Sequence, residues 1–240
     1  MIKKRITILF LAFSALISFA SAEVLFSAST DVYSRYIFRG FTPAGKQPSL
    51  GLNFSAFFSD VNINVSQWYV NSLSDISAYH ELGTMLSYYH YFTDRLIASS
   101  GLTVYLFPNL PESPLAGLEF NISLADIGFV IPYFIETYYD FVLKSWYAKF
   151  TCGYTFDAFL PINLTLSAAA NILPYTRYGL SVPAGFSDLA ISLSTYMTLK
   201  RWQITPKFSY IIPVQTYDIN NPTIYPKQML QVSANLAFSF

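Results

Sequence analysis

The stretch "SLGLNFSAFFSDVNINVSQWYV", Ser49 to Val70, decides the fold. Up to Phe58 alternate residues are apolar (Leu50, Leu52, Phe54, Ala56, Phe58), and Ser49, Gly51, Asn53 and Ser55 between them are small or polar. After Ser59 and Asp60 the alternation resumes, with Val61, Ile63, Val65 and Tyr69 against Asn62, Asn64, Ser66 and Trp68. Successive side chains of a strand point to opposite faces, so each half reads as a strand with one greasy and one wet face. The short joint makes the two an antiparallel hairpin.

The same period runs along the chain in both directions. It predicts about twelve strands, at 24–41, 47–58, 61–71, 77–92, 95–107, 115–124, 127–140, 145–156, 162–173, 187–199, 202–213 and 227–240. Outward sets include Val24, Phe26, Ala28, Val32 and Tyr36; Leu118, Phe120, Ile122 and Leu124; Phe129, Ile131, Tyr133 and Ile135; Ile162, Leu164 and Leu166; Leu189, Ile191 and Leu193. Joints alternate in length. "SD" (59–60), "TD" (93–94), "ADI" (125–127), "DAFLP" (157–161) and "KR" (200–201) are short, whereas "NLPESP", "PYTRYGLSVPAG" and "QTYDINNPTIYP" are long. The joint 141–144 is short where a long loop is expected.

Composition says what medium such strands meet. Hydrophobic residues make up 53%, aromatics 18% and charges 12% of 240 residues, with zero net charge and a mean hydropathy of +0.37. A soluble secreted protein carries about twice that share of charge. Zero net charge gives no basic surface for nucleic acid. The most apolar internal run, Ile127 to Leu143, contains Pro132, Glu136 and Asp140, so a spanning helix there would break and bury charge. Strands survive in hydrocarbon only when every edge is paired, so the expectation is all-β: a single closed antiparallel up-and-down transmembrane β-barrel over residues 23–240. Aromatic girdles fit that reading. Phe58, Phe92, Phe156, Trp202, Phe238 and Phe240 fall at short-turn ends of outward sets, and Tyr36, Tyr69, Tyr139, Trp146 and Tyr210 fall toward loop ends.

Residues 1–22 read as a cleaved signal peptide: Lys3, Lys4 and Arg5, then an apolar run from Ile6 to about Phe19, then Ala20 and Ala22 before Glu23. The expected location is the cell outer membrane, with its lipids as the surrounding partner. Cys152 stands alone, so no disulfide is expected.

Two resemblances add to this. The final strand, "QMLQVSANLAFSF", ends on an aromatic and resembles the carboxyl-terminal signature of Gram-negative outer-membrane proteins, which implies recognition of the Phe240 strand by the barrel-insertion machinery. "DVYSRYIFRGF", Asp31 to Phe41, followed by "QPSLGLNF", resembles the opening hairpin of a family of small outer-membrane porins whose first strand carries a Tyr, an aromatic and Arg-Gly. That likeness implies a pore.

The wet face supplies the candidate pore-lining residues: Asp31, Arg35, Arg39, Glu81, Glu119, Glu136, Asp140, Lys149, Asp188 and Lys207. Charge is costly in hydrocarbon and tolerable beside water or an opposite charge, so these should face a lumen. Inward Tyr33, Trp68, Tyr89, Tyr105, Phe134, Tyr138, Tyr147 and Tyr196 should narrow it. Counting back from the 141–144 joint sets Glu136 opposite Lys149, a cross-strand pair contributing up to ~1 kcal/mol. The expected function is passive diffusion of small polar solutes, with weak cation preference from six acidic against four basic positions.

Two alternatives stay open: a structural or adhesion barrel, and an outer-membrane lipid hydrolase. The hydrolase needs a His-activated Ser facing lipid. His80 has outward parity, but no Ser stands beside it in "YHELGT", and His90 lies near the other rim. No enzyme activity, cofactor or metal site is therefore expected. An apolar outer wall suits lipid and a second copy equally, so the oligomeric state is open.

Overall fold

The computed structural model describes residues 23–37, 47–73, 80–107, 116–157, 159–177, 180–214 and 228–239. The signal-peptide reading of 1–22, Arg39 with its Gly40, and Phe240 lie outside them. The first strands are β1 (Val24–Tyr33), β2 (Ser49–Phe58), β3 (Ile63–Ser72), β4 (His80–Tyr91) and β5 (Leu96–Leu106). They are followed by β6 (Ala116–Asp126), β7 (Tyr133–Asp140), β8 (Ser145–Phe156) and β9 (Ile162–Asn171). A small hairpin, β10 (Tyr175–Arg177) with β11 (Leu180–Val182), occupies the next loop. The chain finishes with β12 (Gly185–Thr195), β13 (Met197–Leu199), β14 (Trp202–Pro213) and β15 (Met229–Ser239).

Each strand from β1 to β9 pairs with the next, β9 pairs with β12, β12 with β14, β14 with β15, and β15 with β1. Because β13 continues β12 past Tyr196, these form a closed barrel of twelve antiparallel staves. Closure runs from Ser27 opposite Ser239 to Tyr33 opposite Ser233.

The joints explain why strands stop where they do. Asn62, Lys144 and Lys200 take left-handed backbone at φ 53°, 51° and 57°, each closing a tight turn. Thr93 Oγ1 accepts the N–H groups of Arg95 and Leu96 at 3.2 and 2.9 Å, replacing ladder bonds at the tip between β4 and β5. Asp140 Oδ1 does the same between β7 and β8, accepting from Val142 and Leu143 at 2.8 and 2.9 Å. That local cap is what allows so short a joint at the loop end.

Three expectations are corrected. Strand β7 begins at Tyr133, not 127, and the preceding joint spans 127–132. Pro132 has no N–H for the ladder, and Asp126 Oδ1 turns the chain by accepting from Gly128 N–H at 3.0 Å. Phe129 and Ile131 therefore belong to an exposed apolar turn rather than to an outward strand face. The first strand ends at Tyr33 rather than running on, since Ser34 Oγ takes the Val232 N–H at 2.9 Å in place of a backbone partner. The strand expected at 187–199 starts earlier, with a bulge between Phe186 and Asp188, and is interrupted at Tyr196.

The two faces separate by parity. Leu102, Leu118, Ile122, Leu166, Leu189, Ile191 and Leu193 stand on the outer wall, Leu166 and Ile191 at 47% and 49% exposure, whereas Glu81 and Glu119 inside are each 1% exposed. This reverses the ordinary distribution in a soluble domain. Expected girdle aromatics meet in ring pairs: Trp202 tilted against Phe238 at 4.7 Å between centroids and Tyr139 tilted against Trp146 at 5.0 Å, while Phe156 meets Tyr154 edge to face at 5.0 Å. Phe58 is 6% exposed, packed with Ala56 and Val65, and Tyr36 leaves the outer face altogether. It turns inward and packs against the Val70, Tyr105 and Phe107 cluster.

Candidate functional site

The site is the inner face of the barrel, built by residues of one parity on neighbouring strands. Asp31 on β1 lies between Gly51 and Asn235. Its carboxylate accepts the amide of Asn53 at 2.6 Å and that of Asn235 at 2.7 Å, so charge-assisted hydrogen bonds tie three strands together.

Toward the loop end, Glu81 accepts the Trp68 indole N–H at 2.7 Å and the Tyr36 hydroxyl at 3.2 Å. Burial, reinforced by the negative charge of Glu81, pushes the Tyr36 hydroxyl well above its ordinary pKa, so it remains a donor. Trp68 can lie there because its cross-strand neighbour is Gly83. A Cβ on Gly83 would stand 2.1 Å from the indole ring. Trp68 meets Tyr105 edge to face at 5.5 Å, and Tyr105 donates to Glu119 at 3.3 Å.

Glu119 stands directly opposite Asp140, two carboxylates on one face of adjacent strands. Like charges so placed repel. The repulsion is offset at Asp140 by its two backbone donors and at Glu119 by the Tyr105 hydroxyl.

Glu136 is paired with Lys149 in the β7–β8 register, as the turn length predicts, and Asp140 with Ser145. The hydrogen bond to the Glu136 carboxylate, however, comes from the Tyr138 hydroxyl on its own strand. Lys149 and Asp188 are both opposite Ala169, on either side of β9, and Lys149 is within electrostatic reach of Asp188 and Lys207. Asp188 also accepts from Ser187 Oγ at 2.7 Å. Lys207 lies between Ser194 and Ser233. Arg35, just past β1, offers its carbonyl to Gln231 at 2.7 Å, and its Nε is buried without a hydrogen-bond partner.

The structure thus groups Asp31, Glu81, Glu119, Glu136 and Asp140 on the wall from β1 to β7, and Lys149, Asp188 and Lys207 on the wall from β8 to β14. Sequence reasoning missed Tyr36, whose inward turn follows the loss of strand geometry after Tyr33. It also missed Met85, for which a single apolar residue among inward positions gave no distinct signal.

Two cavities open along the acidic wall. One of about 350 Å³ is lined by Ser27, Ser29, Asn53, Trp68, Thr103 and Tyr105 among others, the second of about 280 Å³ by Tyr89, Asn121, Phe134 and Glu136 among others. Met85 and Tyr138 border both. Among the described residues no group of three His, Cys, Asp or Glu side chains is placed to hold a metal ion. His80, on the outer wall, is hydrogen-bonded to the Tyr69 hydroxyl.

No family model and no curated protein matches the chain. Solved structures do. The NanC porin superposes with a TM-score of 0.57 at 10% identity, covering 89% of this chain and 98% of that one. The KdgM porin gives 0.54 at 10% identity, covering 89% and 99%. An outer membrane channel from Pseudomonas putida F1 gives 0.51 at 12% identity, covering 92% and 97%. LpxR from Salmonella typhimurium gives 0.51 at 9% identity, covering 88% and 99%. At these identities what is shared is the fold, a porin-like barrel.

Proposed function

We propose that the protein is an outer-membrane pore through which small polar solutes diffuse passively, along a narrow lumen of mixed charge and aromatic rings. The observation that carries this reading is the pairing of an apolar outer wall with an inner wall of carboxylates, amides and hydroxyls that leaves two cavities rather than a filled core. A closed barrel with such an exterior satisfies its backbone in hydrocarbon, and a polar interior with free volume holds water. Twelve staves enclose more room than eight and less than the sixteen or more of wide porins.

The fold relatives support the reading. KdgM and NanC are named porins, and KdgM is known in complex with disordered oligogalacturonate. In the proposed setting the chain is exported by its amino-terminal signal, surrounded by outer-membrane lipids and inserted through recognition of its last strand. Asp31, Arg35, Arg39, Glu81, Glu119, Glu136, Asp140, Lys149, Asp188 and Lys207 line the passage, with no catalytic step and no cofactor.

Conductance of the purified, refolded protein in planar bilayers tests this. Discrete, steady single-channel steps in potassium chloride support it. Silent bilayers containing demonstrably folded barrel overturn it, and lipid hydrolysis by the same preparation would favour the enzyme.

A further inference from the structure

The cavity of about 280 Å³ between β4 and β7 has an unusual lining for a channel wall: one carboxylate, Glu136, amid the rings of Tyr89, Tyr91, Phe134 and Tyr138, with Asn121 as an amide. We propose that it is a binding site for a small organic ammonium ion; this rests on the reading of the interior as a solute path.

Three observations point to that class. The charge is negative and half-buried, and among the described residues its one hydrogen bond is from Tyr138 to Oε1, which leaves Oε2 to face a ligand. The rings of Tyr89, Tyr91, Phe134 and Tyr138 share the cavity with it, and aromatic side chains beside a carboxylate are a setting that attracts weakly hydrated cations. The volume is several times the roughly 30 Å³ of a water molecule, so a branched ammonium headgroup fits. A hard metal ion is disfavoured, because Ca²⁺ needs about 6–8 oxygen ligands and Mg²⁺ an octahedral set, whereas this lining offers a single carboxylate, with Asn121 and the hydroxyls of Ser87, Ser99 and Ser123 among aromatic and aliphatic side chains.

Lys149 is the built-in rival, since it stands opposite Glu136 in the strand register. It does not border the cavity, and it lies within electrostatic reach of Asp188 on the other side. Lys149 therefore leaves the cavity itself open to an incoming cation.

The test uses choline as the probe and 3,3-dimethyl-1-butanol as its uncharged isostere, with calorimetric titration of the refolded barrel in detergent. Choline should bind, and the isostere should bind at least tenfold more weakly. Glu136→Gln should weaken choline at least tenfold. Phe134→Leu, which keeps charge and apolar volume, should weaken it at least threefold. No choline binding, equal affinity for the isostere, or unchanged affinity in Glu136→Gln would overturn the site. Because titration does not require conduction, a barrel that conducts without binding choline sinks only this inference, and one that binds it without conducting sinks only the pore.

Discussion

Asp31 accepts the side-chain amide of Asn235 at 2.7 Å across the seam where the first strand meets the last. Its other oxygen takes Asn53 from β2 at 2.6 Å, so one carboxylate joins the closing strand to the first hairpin. Removing it takes the acceptor from the Asn235 amide and leaves Asn53 only its longer bond to Ser29. Hydrogen bonds to charged groups contribute about 1.5–3 kcal/mol each, which places Asp31→Leu at a loss of about 3–6 kcal/mol in urea unfolding of the vesicle-reconstituted barrel. Ser29→Ala, which touches only a 3.3 Å bond from the same Asn53, should cost under about 1 kcal/mol.

Gly83 gives a contrast between two glycines. A methyl group there would collide with Trp68 at 2.1 Å and push the indole off Glu81, whereas at Gly117 the nearest atoms are at 3.6 and 3.7 Å, an ordinary contact. Gly83→Ala is expected to destabilise by about 1–3 kcal/mol, as overpacking does. It should also shift the tryptophan emission spectrum. Gly117→Ala should do neither.

At the joint between β7 and β8, Asp140 Oδ1 holds the Val142 and Leu143 N–H groups. Asp140→Ala should lower unfolding stability by about 1–3 kcal/mol, and Asp140→Asn, which keeps a side-chain acceptor, by less than half of that. Equal losses in both variants would mean that the charge, not the turn bond, matters there.

Among the described interior positions the charges are acidic at Asp31, Glu81, Glu119, Glu136, Asp140 and Asp188, and basic at Arg35, Lys149 and Lys207. A narrow passage so lined should favour cations. The reversal potential across a tenfold potassium chloride gradient should carry the sign of potassium permeation, and Lys149→Gln with Lys207→Gln should move it further in that direction. An anion-selective wild type would contradict this assignment.

The phase of the strands was legible because two solvents act on alternate residues: Leu166 and Ile191 could face only hydrocarbon, Asn121 and Ser192 only the interior. The β7–β8 register was legible too, since a four-residue joint leaves Glu136 only Lys149 as its partner. Strand ends were not. They depend on local rivals of the ladder, such as Pro132 and the hydroxyl of Ser34, which alternation does not register. Long-range matches were hidden as well. Trp68 over Gly83 depends on the exact β3–β4 register, and Tyr36 on Glu81 and the nearness of Lys149 to Asp188 appear only once segments that are not consecutive in sequence are set side by side.

The central claim is that alternate residues of one strand meet oil and water, and single cysteines along β6 in vesicles test it most directly. In a Cys152→Ala background, cysteines at Asn121 and Ser123 should react with a membrane-impermeant thiol reagent added to both sides. Cysteines at Phe120, Ile122 and Leu124 should stay protected and be quenched, when fluorescently labelled, by lipid-borne nitroxides. Uniform reactivity along the strand, or alternation of the opposite phase, would contradict the account.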